Sequence, residues 1–558
     1  MLHLGYTSKN QAQMLQGNSK GPSRKRASTP GYVSPNQLVL SGFETPFEQK
    51  LTRENRWVKL AHNIPWDRLV KYYDDLFPSK EGRPPISGRV ILGAVIIKHL
   101  GDLTDRETVA QIQENMFMQY FLGYSSFTNE EPFSDTLFPE IRQRLSIGLL
   151  SKINEVIAVH CIDMQEEKLR EQQGLAEKKQ RASVVQNSTS DDNKDNKEIV
   201  AAEIKVVPVE NNMEQKEEPS AAKNNKGKLL MDATVAPQNI TFPTDLKLLN
   251  AARKKSEQLI DILYNPLLHG KKKVRTYRQV ARKFFLNSAK KKRKTAKEIY
   301  KANGSQLRFL RRNLGYIDFL LAAYKEFPLK QKDQKYLMVL HTVYEQQEEM
   351  HRTHTKRIDY RIVNIHQPHV RPIVRGKENA KTEFGSKIQM SLVEGFAFID
   401  HLSWEAFNEG GYLIDSVEKY KTRFGFYPAE VLADQIYCTR ENRNQLKLLD
   451  IKLIAKPLGR PSAQAVKIHL SPGERNPIEG KFGQAKVAYG LNKVRAKLVN
   501  TSTSWIAAIA LVLNLVKLTR QALVSQIFFL KSILKNLFRW VINILFNYNT
   551  IKSVSLSL

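Results

Sequence analysis

Three charged residues in one short stretch could bind a metal ion and a polyanion together. Glu479 lies four residues after Arg475 and seven residues before Lys486, within ERNPIEGKFGQAK. One interpretation is structural, because an arginine and a glutamate four residues apart stabilise a helix by about 0.2–0.5 kcal/mol. The other is functional: the carboxylate binds a cation while its basic neighbours bind the polyanion. The functional interpretation requires further acids elsewhere in the chain.

Two aspartates could supply those acids. Asp232 and Asp434 each lie in an apolar run typical of a buried strand, in MDATVA and LADQIY. A lone acid in such a run costs several kcal/mol unless it is paired or binds a metal. Carboxylates suit Mg²⁺, and two such ions about 4 Å apart can activate a water or a 3′-hydroxyl and stabilise the leaving oxygen. Two strand acids and one helix acid therefore favour phosphoryl transfer.

Other residues offer alternative sites. Further candidate ligands are Asp245, Asp400 and Asp415, although an aspartate at a strand end is often only a turn former. Two H-x-x-H pairs, His351/His354 and His366/His369, could bind Zn²⁺, but they lack a cysteine pair and an H-E-x-x-H motif. Exposed histidines on a basic surface are the simpler interpretation. The sequence has no Walker-type or GxGxxG motif, so NTPase and dinucleotide chemistry is unsupported.

Composition indicates the class of partner. The 558 residues are 41% hydrophobic, which is close to the globular norm, but the formal net charge is +31. This charge favours nucleic acid or an anionic membrane as the partner. The two cysteines, Cys161 and Cys438, exclude a disulfide framework and suit a reducing compartment. We therefore expect a cytoplasmic protein.

The pattern along the chain predicts five segments. They are a polar tail (1–44), a helical N-terminal domain (45–164), a charged linker (165–227), an α/β domain with a mixed sheet (228–520) and a basic amphipathic helix (521–558). Strand-like runs before and after a basic helical block (about 245–360) indicate that the block interrupts the α/β domain. Its lysines and arginines alternate with Tyr and Phe, which favours contact with phosphates.

The N-terminal domain contains a helix pair that could read DNA. GRVILGAVIIKHL predicts a buried helix ending at Gly101, and the next helix opens with a capping box of Thr104 and Glu107. That second helix places apolar residues on one face, namely Val109, Ile112, Met116 and Tyr120. A helix-turn-helix would place it in a major groove, although such pairs are more often packing units.

The C-terminal helix is not expected to span a membrane. Lys531, Lys535 and Arg539 recur every four residues in IFFLKSILKNLFRWVINILF and form a polar stripe. A spanning helix would bury these charges at about 2.5 kcal/mol or more each. We expect the helix to pack on the protein or to lie on a membrane surface, without stable insertion.

A resemblance to bacterial insertion-sequence DDE transposases is carried by three stretches, LLMDATVAPQNITFPTDLKLLNAAR, EVLADQIYCTRENR and RNPIEGKFGQAKVAYGLNKVRAKL. The N-terminal stretches LTDRETVAQIQENMFMQYFLGY and FSDTLFPEIRQRL are similar to an InsH-type domain. The resemblance covers residues about 45 to 160 and 228 to 520, with the blocks in the family order. It implies an RNase H-like catalytic domain, interrupted by the helical block and preceded by the all-helical N-terminal domain.

The resemblance also implies roles for individual residues. Asp232 would be the first catalytic aspartate on the first strand, Asp434 the second on the fourth strand, and Glu479 the glutamate on the following helix. The group carries a Tyr-Arg-Glu-Lys signature, whose spacing Arg475, Glu479 and Lys486 match. The position of its tyrosine is occupied by Pro472.

The implied activity is cleavage of transposon ends and joining of the 3′-hydroxyls to target DNA. Asp232, Asp434 and Glu479 would bind two Mg²⁺ ions, for which Mn²⁺ could substitute. Arg475, Lys481 and Lys486 would contact DNA phosphates. Partners would be double-stranded DNA and a second copy of the chain on DNA. Two alternatives stay open: an RNase H-like nuclease without strand transfer, and a catalytically inactive DNA-binding protein derived from a transposase.

Overall fold

The computed structural model describes residues 51–77, 85–162, 225–374, 382–456 and 473–519. The predicted tail, the C-terminal helix and nearly all of the predicted linker lie outside the described residues. The chain divides into two compact units between Arg144 and Leu145. The sequence placed this boundary at 164, one helix later along the chain.

The first unit is helical. Its helices are α1 (Arg56–Asn63), α2 (Trp66–Asp74), α3 (Gly88–Leu100), α4 (Asp105–Glu114), α5 (Met116–Leu122) and α6 (Phe138–Arg144). The predicted buried helix is confirmed, because α3 buries every residue from Gly88 to His99 and ends at Gly101. Lys98 is tolerated in this core because its ammonium group lies 2.9 Å from Asp105 and donates to the Leu103 carbonyl.

The predicted helix after Thr104 is shorter than its apolar pattern. The capping box is confirmed: Thr104 and Glu107 exchange hydrogen bonds between their side chains and backbone amides. The helix then ends at Glu114, because the Asn115 side chain accepts hydrogen bonds from the amides of Phe117 and Met118 and caps α5. Apolar periodicity alone did not predict this break.

The second unit contains a six-stranded mixed sheet, which confirms the predicted α/β class. Its strands are β1 (Lys228–Pro237), β2 (Arg371–Val374), β3 (Thr382–Val393), β4 (Phe396–Ser403), β5 (Glu430–Leu432) and β6 (Lys452–Ile454). The order is β2-β3-β1-β5-β6, and β4 also pairs with β3. The central strand β1 is antiparallel to β3 and parallel to β5, with Leu230 paired to Leu432.

Five helices follow β1 before β2 begins. They are α8 (Asp245–Leu263), α9 (Pro266–His269), α10 (Arg278–Lys290), α11 (Ala296–Ala322) and α12 (Gln331–Arg352). Leu249, Leu310 and Leu340, from α8, α11 and α12, are fully buried in one apolar cluster. Burial of such a side chain contributes about 1.5–3 kcal/mol. This block therefore has a core of its own.

The remaining helices of the second unit are α7 (Ile147–Ile162), α13 (Leu413–Phe424), α14 (Arg440–Leu448), α15 (Asn476–Ala488) and α16 (Val499–Thr519). Among the described residues α16 is long and apolar enough to cross a membrane, but 78% of its most apolar window is buried inside the protein. Asn514 of α16 hydrogen-bonds to Asn154 of α7 and to both backbone polar groups of Ala397 in β4. This polar network is typical of a core helix, because each buried polar group has a partner.

Candidate active site

Asp232 lies in the central strand of the sheet. Its Oδ1 accepts a hydrogen bond of 2.8 Å from the Ala233 amide, and its side chain is 18% exposed. Burial raises the pKa of this carboxyl to about 6, against the lowering effects of the Ala233 amide and Arg475. Asp232 is thus the buried strand acid that the sequence predicted.

Asp434 follows the neighbouring parallel strand. Strand β5 ends at Leu432, so Asp434 lies two residues beyond it, just as Asp232 lies two residues beyond Leu230, the partner of Leu432. The parallel register therefore brings the two acids to the same edge of the sheet. Asp434 differs from the prediction of a buried strand residue: its side chain is 55% exposed. It instead caps a short 3-10 helix, Gln435–Tyr437, by accepting from the Gln435 amide.

Arg475 lies between the two aspartates. Its Nη2 is 3.4 Å from Oδ2 of Asp232, and its Nη1 is 3.1 Å from Oδ1 of Asp434. Its Nε is buried without a hydrogen-bond partner. The positive charge of one guanidinium therefore compensates the negative charges of both carboxylates. The two acids thus define a position that accepts a cation.

Glu479 lies one turn along α15 from Arg475 and is exposed. Its carboxylate is close to the positive N-terminus of the helix, where an anion is favoured. Within the described ranges, no three His, Cys, Asp or Glu side chains are close enough together to hold a metal ion. The structure thus brings Asp232 and Asp434 together through Arg475, and Glu479 stands apart from that pair.

The chemistry of the two converging acids fits a divalent cation in part. Carboxylate oxygens are the ligands that Mg²⁺ prefers, and the ion usually binds one or two carboxylates together with waters and substrate phosphates. Asp232 and Asp434 satisfy that requirement at the position that Arg475 contacts. Glu479 would need a change in its side chain or in the start of α15 to join them.

The two predicted basic residues of α15 have different surroundings. Lys481 is half-buried and lies close enough to Lys517 to lower the pKa of that lysine, which burial and Lys481 together bring to about 8. Lys486 lies in the last turn of α15. Pro472, at the position of the signature tyrosine, lies outside the described residues.

Sequence reasoning missed two residues near Asp232. Glu409 forms an ion pair of 2.8 Å with Lys387, and its charge raises the pKa of Asp232. The hydroxyl of Tyr437 is buried without a hydrogen-bond partner, and burial raises its pKa above the ordinary value. Tyr437 could have been singled out because it follows Asp434 by three residues, whereas Glu409 carried no local signal.

Two of the alternative acids have arginine partners of their own, and the third is exposed. Asp245 pairs with Arg361, and the buried Asp400 pairs with Arg423 at 2.9 Å. Asp415 is exposed on α13. The first two acids thus each pair with an arginine other than Arg475, and they do not share the contact that joins Asp232 and Asp434.

The histidine pairs do not form a metal site in the described part of the chain. His351 and His354 stack on the ring of Tyr300, at 3.9 and 4.8 Å between ring centroids. His366 lies 2.9 Å from the Tyr336 hydroxyl, and His369 packs edge-on against Trp404. These aromatic contacts give the histidines packing roles.

The second helix of the pair in the first unit, α4, has the wrong charge for contact with phosphates. Helix α4 carries Asp105, Glu107 and Glu114 against a single base, Arg106. Phosphate contacts require lysines and arginines, so the electrostatics of α4 favour packing over insertion into a groove.

Two family models match the chain. Residues 45–144 match a model described as a transposase domain, and residues 431–516 match one described as a transposase DDE domain. The second match includes Asp434, Arg475 and Glu479 and begins after Asp232.

One curated relative is an uncharacterized protein, ORF8 in the nfe locus of Rhizobium meliloti. It is 33% identical over 88 residues, which are 16% of this chain and 42% of that protein. The chain thus spans about two fifths of the length of this relative. No solved structure matches the chain.

Proposed function

Because the chain belongs to the DDE transposases of insertion sequences, we propose that it cuts DNA at the ends of a mobile element and joins the freed 3′-hydroxyls to target DNA. The observation that carries this proposal is the convergence of Asp232 and Asp434 on one guanidinium. Two acids from distant parts of the chain thus meet at a position where they already contact the positively charged side chain of Arg475.

Asp232, Asp434 and Glu479 are the residues proposed to hold two Mg²⁺ ions, for which Mn²⁺ could substitute. Bound there, the ions would activate the attacking oxygen and stabilise the leaving oxygen of an in-line displacement. The chain's own contribution is to hold Asp232 rigidly in β1 and Asp434 at the cap of a short helix. Glu479 enters from α15, which also carries Arg475 at its start.

Arg475 has two alternative partners in this proposal. Without DNA it compensates the two aspartates, and with DNA it contacts a phosphate, together with Lys481 and Lys486. A guanidinium forms strong bidentate contacts with phosphate, so DNA competes effectively for Arg475. Its transfer to DNA would leave the aspartates available to the cations.

The architecture supports an RNase H-like catalytic domain. The first acid lies on the central strand, the second follows the adjacent parallel strand, and antiparallel strands continue the sheet on the other side. On this proposal, helices α8 to α12 are an insertion between the first two strands of that domain. The enzyme would act in the cytoplasm as a homo-oligomer assembled on two DNA ends.

A strand-transfer assay tests the proposal. Labelled duplexes are made from the DNA on either side of the coding sequence and incubated with the protein, Mg²⁺ and a circular target. Transfer of label to the target supports a transposase, and cleavage without transfer supports a nuclease. Binding without cleavage would support an inactive DNA-binding protein instead.

A further inference from the structure

Two arginines in the helical block share one aromatic ring. The guanidinium carbons of Arg275, in the loop before α10, and of Arg312, on α11, each lie 4.7 Å from the centroid of the Tyr277 ring. A cation over the face of a tyrosine ring is attracted by the negative charge density of that face. Neither arginine has an acidic partner within the described part of the chain. Two like charges are therefore held at one ring without an acid between them, and Arg312 also lies 5.7 Å from the centroid of the Phe309 ring.

Two basic residues on either side of Tyr277 share an acidic partner. Asp261 of α8 pairs with both Lys273 and Arg278, at 2.5 Å each. These ion pairs fasten the loop to α8 on both sides of Tyr277. The loop thus contains ion-paired charges that anchor it, and charges without an acidic partner, among them Arg275, that are left for another partner.

Tyr277 adopts a strained backbone conformation. Its φ of 55° lies in the left-handed region, which is unfavourable for a residue other than glycine. Such strain is retained mostly at functional sites. The side chain is 37% exposed, so the strain does not serve to bury the ring. It does place the ring between Arg275 and Arg312.

The surrounding charge identifies the partner as a polyanion. From Lys271 to Ala296 the sequence contains 12 lysines and arginines and no aspartate or glutamate. Helix α10 buries only Ala281 of its 13 residues, so its basic side chains face solvent. An acidic protein segment would offer single carboxylates, whereas a DNA backbone offers a continuous row of phosphates that matches the length of this surface.

We propose that Arg275 and Arg312 form a phosphate-binding site for duplex DNA, with Tyr277 as the residue that positions them. The identity of the partner as DNA rests on the proposed function. Each arginine contacts a phosphate through its guanidinium fork, and the ring keeps the two forks oriented before DNA arrives. Tyr277 acts through the two arginines that pack against its ring.

The test measures binding of a fluorescently labelled duplex by anisotropy between about 50 and 200 mM salt. Each phosphate contact that is lost should reduce the slope of log K against log salt by about 0.9. Arg275→Gln and Arg312→Gln should each show that reduction. Lys273→Gln is the matched control: it removes the same charge two residues away, but from a lysine that Asp261 already neutralises.

Variants of Tyr277 separate positioning from charge. Tyr277→Phe keeps the ring and should bind DNA with the wild-type slope. Tyr277→Leu removes the ring but keeps a side chain at the same left-handed backbone position. It should weaken DNA binding although both arginines are still present. Thermal unfolding of each variant establishes that the block is folded in the comparison.

Equal slopes for Arg275→Gln, Lys273→Gln and the wild type would overturn the proposal, as would equal binding by Tyr277→Leu and Tyr277→Phe. Tighter binding of duplex RNA than of duplex DNA would overturn the assignment of the partner. Failure of the proposed function looks different: the wild type would neither cleave nor transfer strands, whatever the salt slopes show.

Discussion

The Arg475 guanidinium lies 3.1 Å from the carboxylate of Asp434, across the edge where strands β1 and β5 meet. The same group is 3.4 Å from Asp232, so a basic residue of the proposed DNA-binding set sits at the proposed cation site. Charge compensation explains the arrangement, because two adjacent carboxylates repel each other unless a cation lies between them. Arg475 and a divalent cation should therefore compete for the same two acids.

We expect Arg475→Gln to bind Mn²⁺ more tightly than the wild type in the absence of DNA. The gain should be about fivefold to tenfold, which corresponds to losing a competing, partly exposed ion pair of about 1 kcal/mol. Electron paramagnetic resonance of free Mn²⁺ measures it. Arg475→Lys keeps a competing charge and should resemble the wild type. Unchanged affinity in Arg475→Gln would show that the guanidinium does not occupy the cation position.

The proposed catalytic acids should be essential for cleavage and dispensable for DNA binding. Asp232→Asn, Asp434→Asn and Glu479→Gln should each lower the cleavage rate by at least about 100-fold, as losing one group that stabilises transition-state charge typically does. Single-turnover gel assays measure the rate. Asp415→Asn changes an exposed aspartate of the same unit and should cleave normally. Cleavage at the normal rate by Asp434→Asn would contradict the proposed mechanism, in which Asp434 holds a metal ion.

Much of this site could be predicted from the sequence. Asp232 stood out because an acid in an apolar strand needs compensation, and α15 was predicted from local pattern. The contact between Arg475 and Asp232 could not be predicted, since it joins residues that are distant in the chain and depends on how α15 meets the sheet. For the same reason the separation of Glu479 from the two aspartates had no sequence signal.

Two local features outside the candidate active site could not be predicted from the hydrophobic pattern. The break at Asn115 depends on a side-chain cap that overrides apolar periodicity. The left-handed backbone of Tyr277 lies in a loop that Asp261 contacts through ion pairs with Lys273 and Arg278. A hydrophobic pattern carries no information on such hydrogen bonds and ion pairs.

Helix α16 should behave as a core helix. Asn514→Ala would leave the buried amide of Ala397 and the side-chain oxygen of Asn154 without the partner that Asn514 supplies, although Asn154 would still donate to the Ala397 carbonyl. We expect the free energy of unfolding to fall by about 1–3 kcal/mol, as measured by chemical denaturation. Asn500→Ala, at an exposed position in the first turn of the same helix, should have little effect. Equal stabilities would contradict the packing described for Asn514.

His369 should make the protein sensitive to mild acid. Burial and the nearby Arg371 lower the pKa of His369 to about 4, below its ordinary value of 6.5. The folded chain therefore binds fewer protons here than the unfolded chain between these pH values, and stability falls as the pH decreases from about 6.5 to 4. Because the ring is only partly buried, solvent screening weakens the effect, and relative to His369→Gln the wild type should lose about 1 kcal/mol over that range.

Denaturation of the wild type and His369→Gln at pH 7.5, 6 and 5 measures this difference. The His369→Gln variant provides the reference, because every other titrating group is common to both proteins. A difference in unfolding free energy that stays constant with pH would contradict the buried neutral state of His369.

The most direct test of the account maps the cation ligands themselves. Fe²⁺ bound in place of Mg²⁺ generates radicals that cut the protein backbone close to the ion. With DNA present, we predict cuts near Asp232, Asp434 and Glu479, all of them suppressed by excess Mg²⁺. Cuts confined to other parts of the chain, or insensitive to Mg²⁺, would contradict the claim that these three acids form one metal-binding active site.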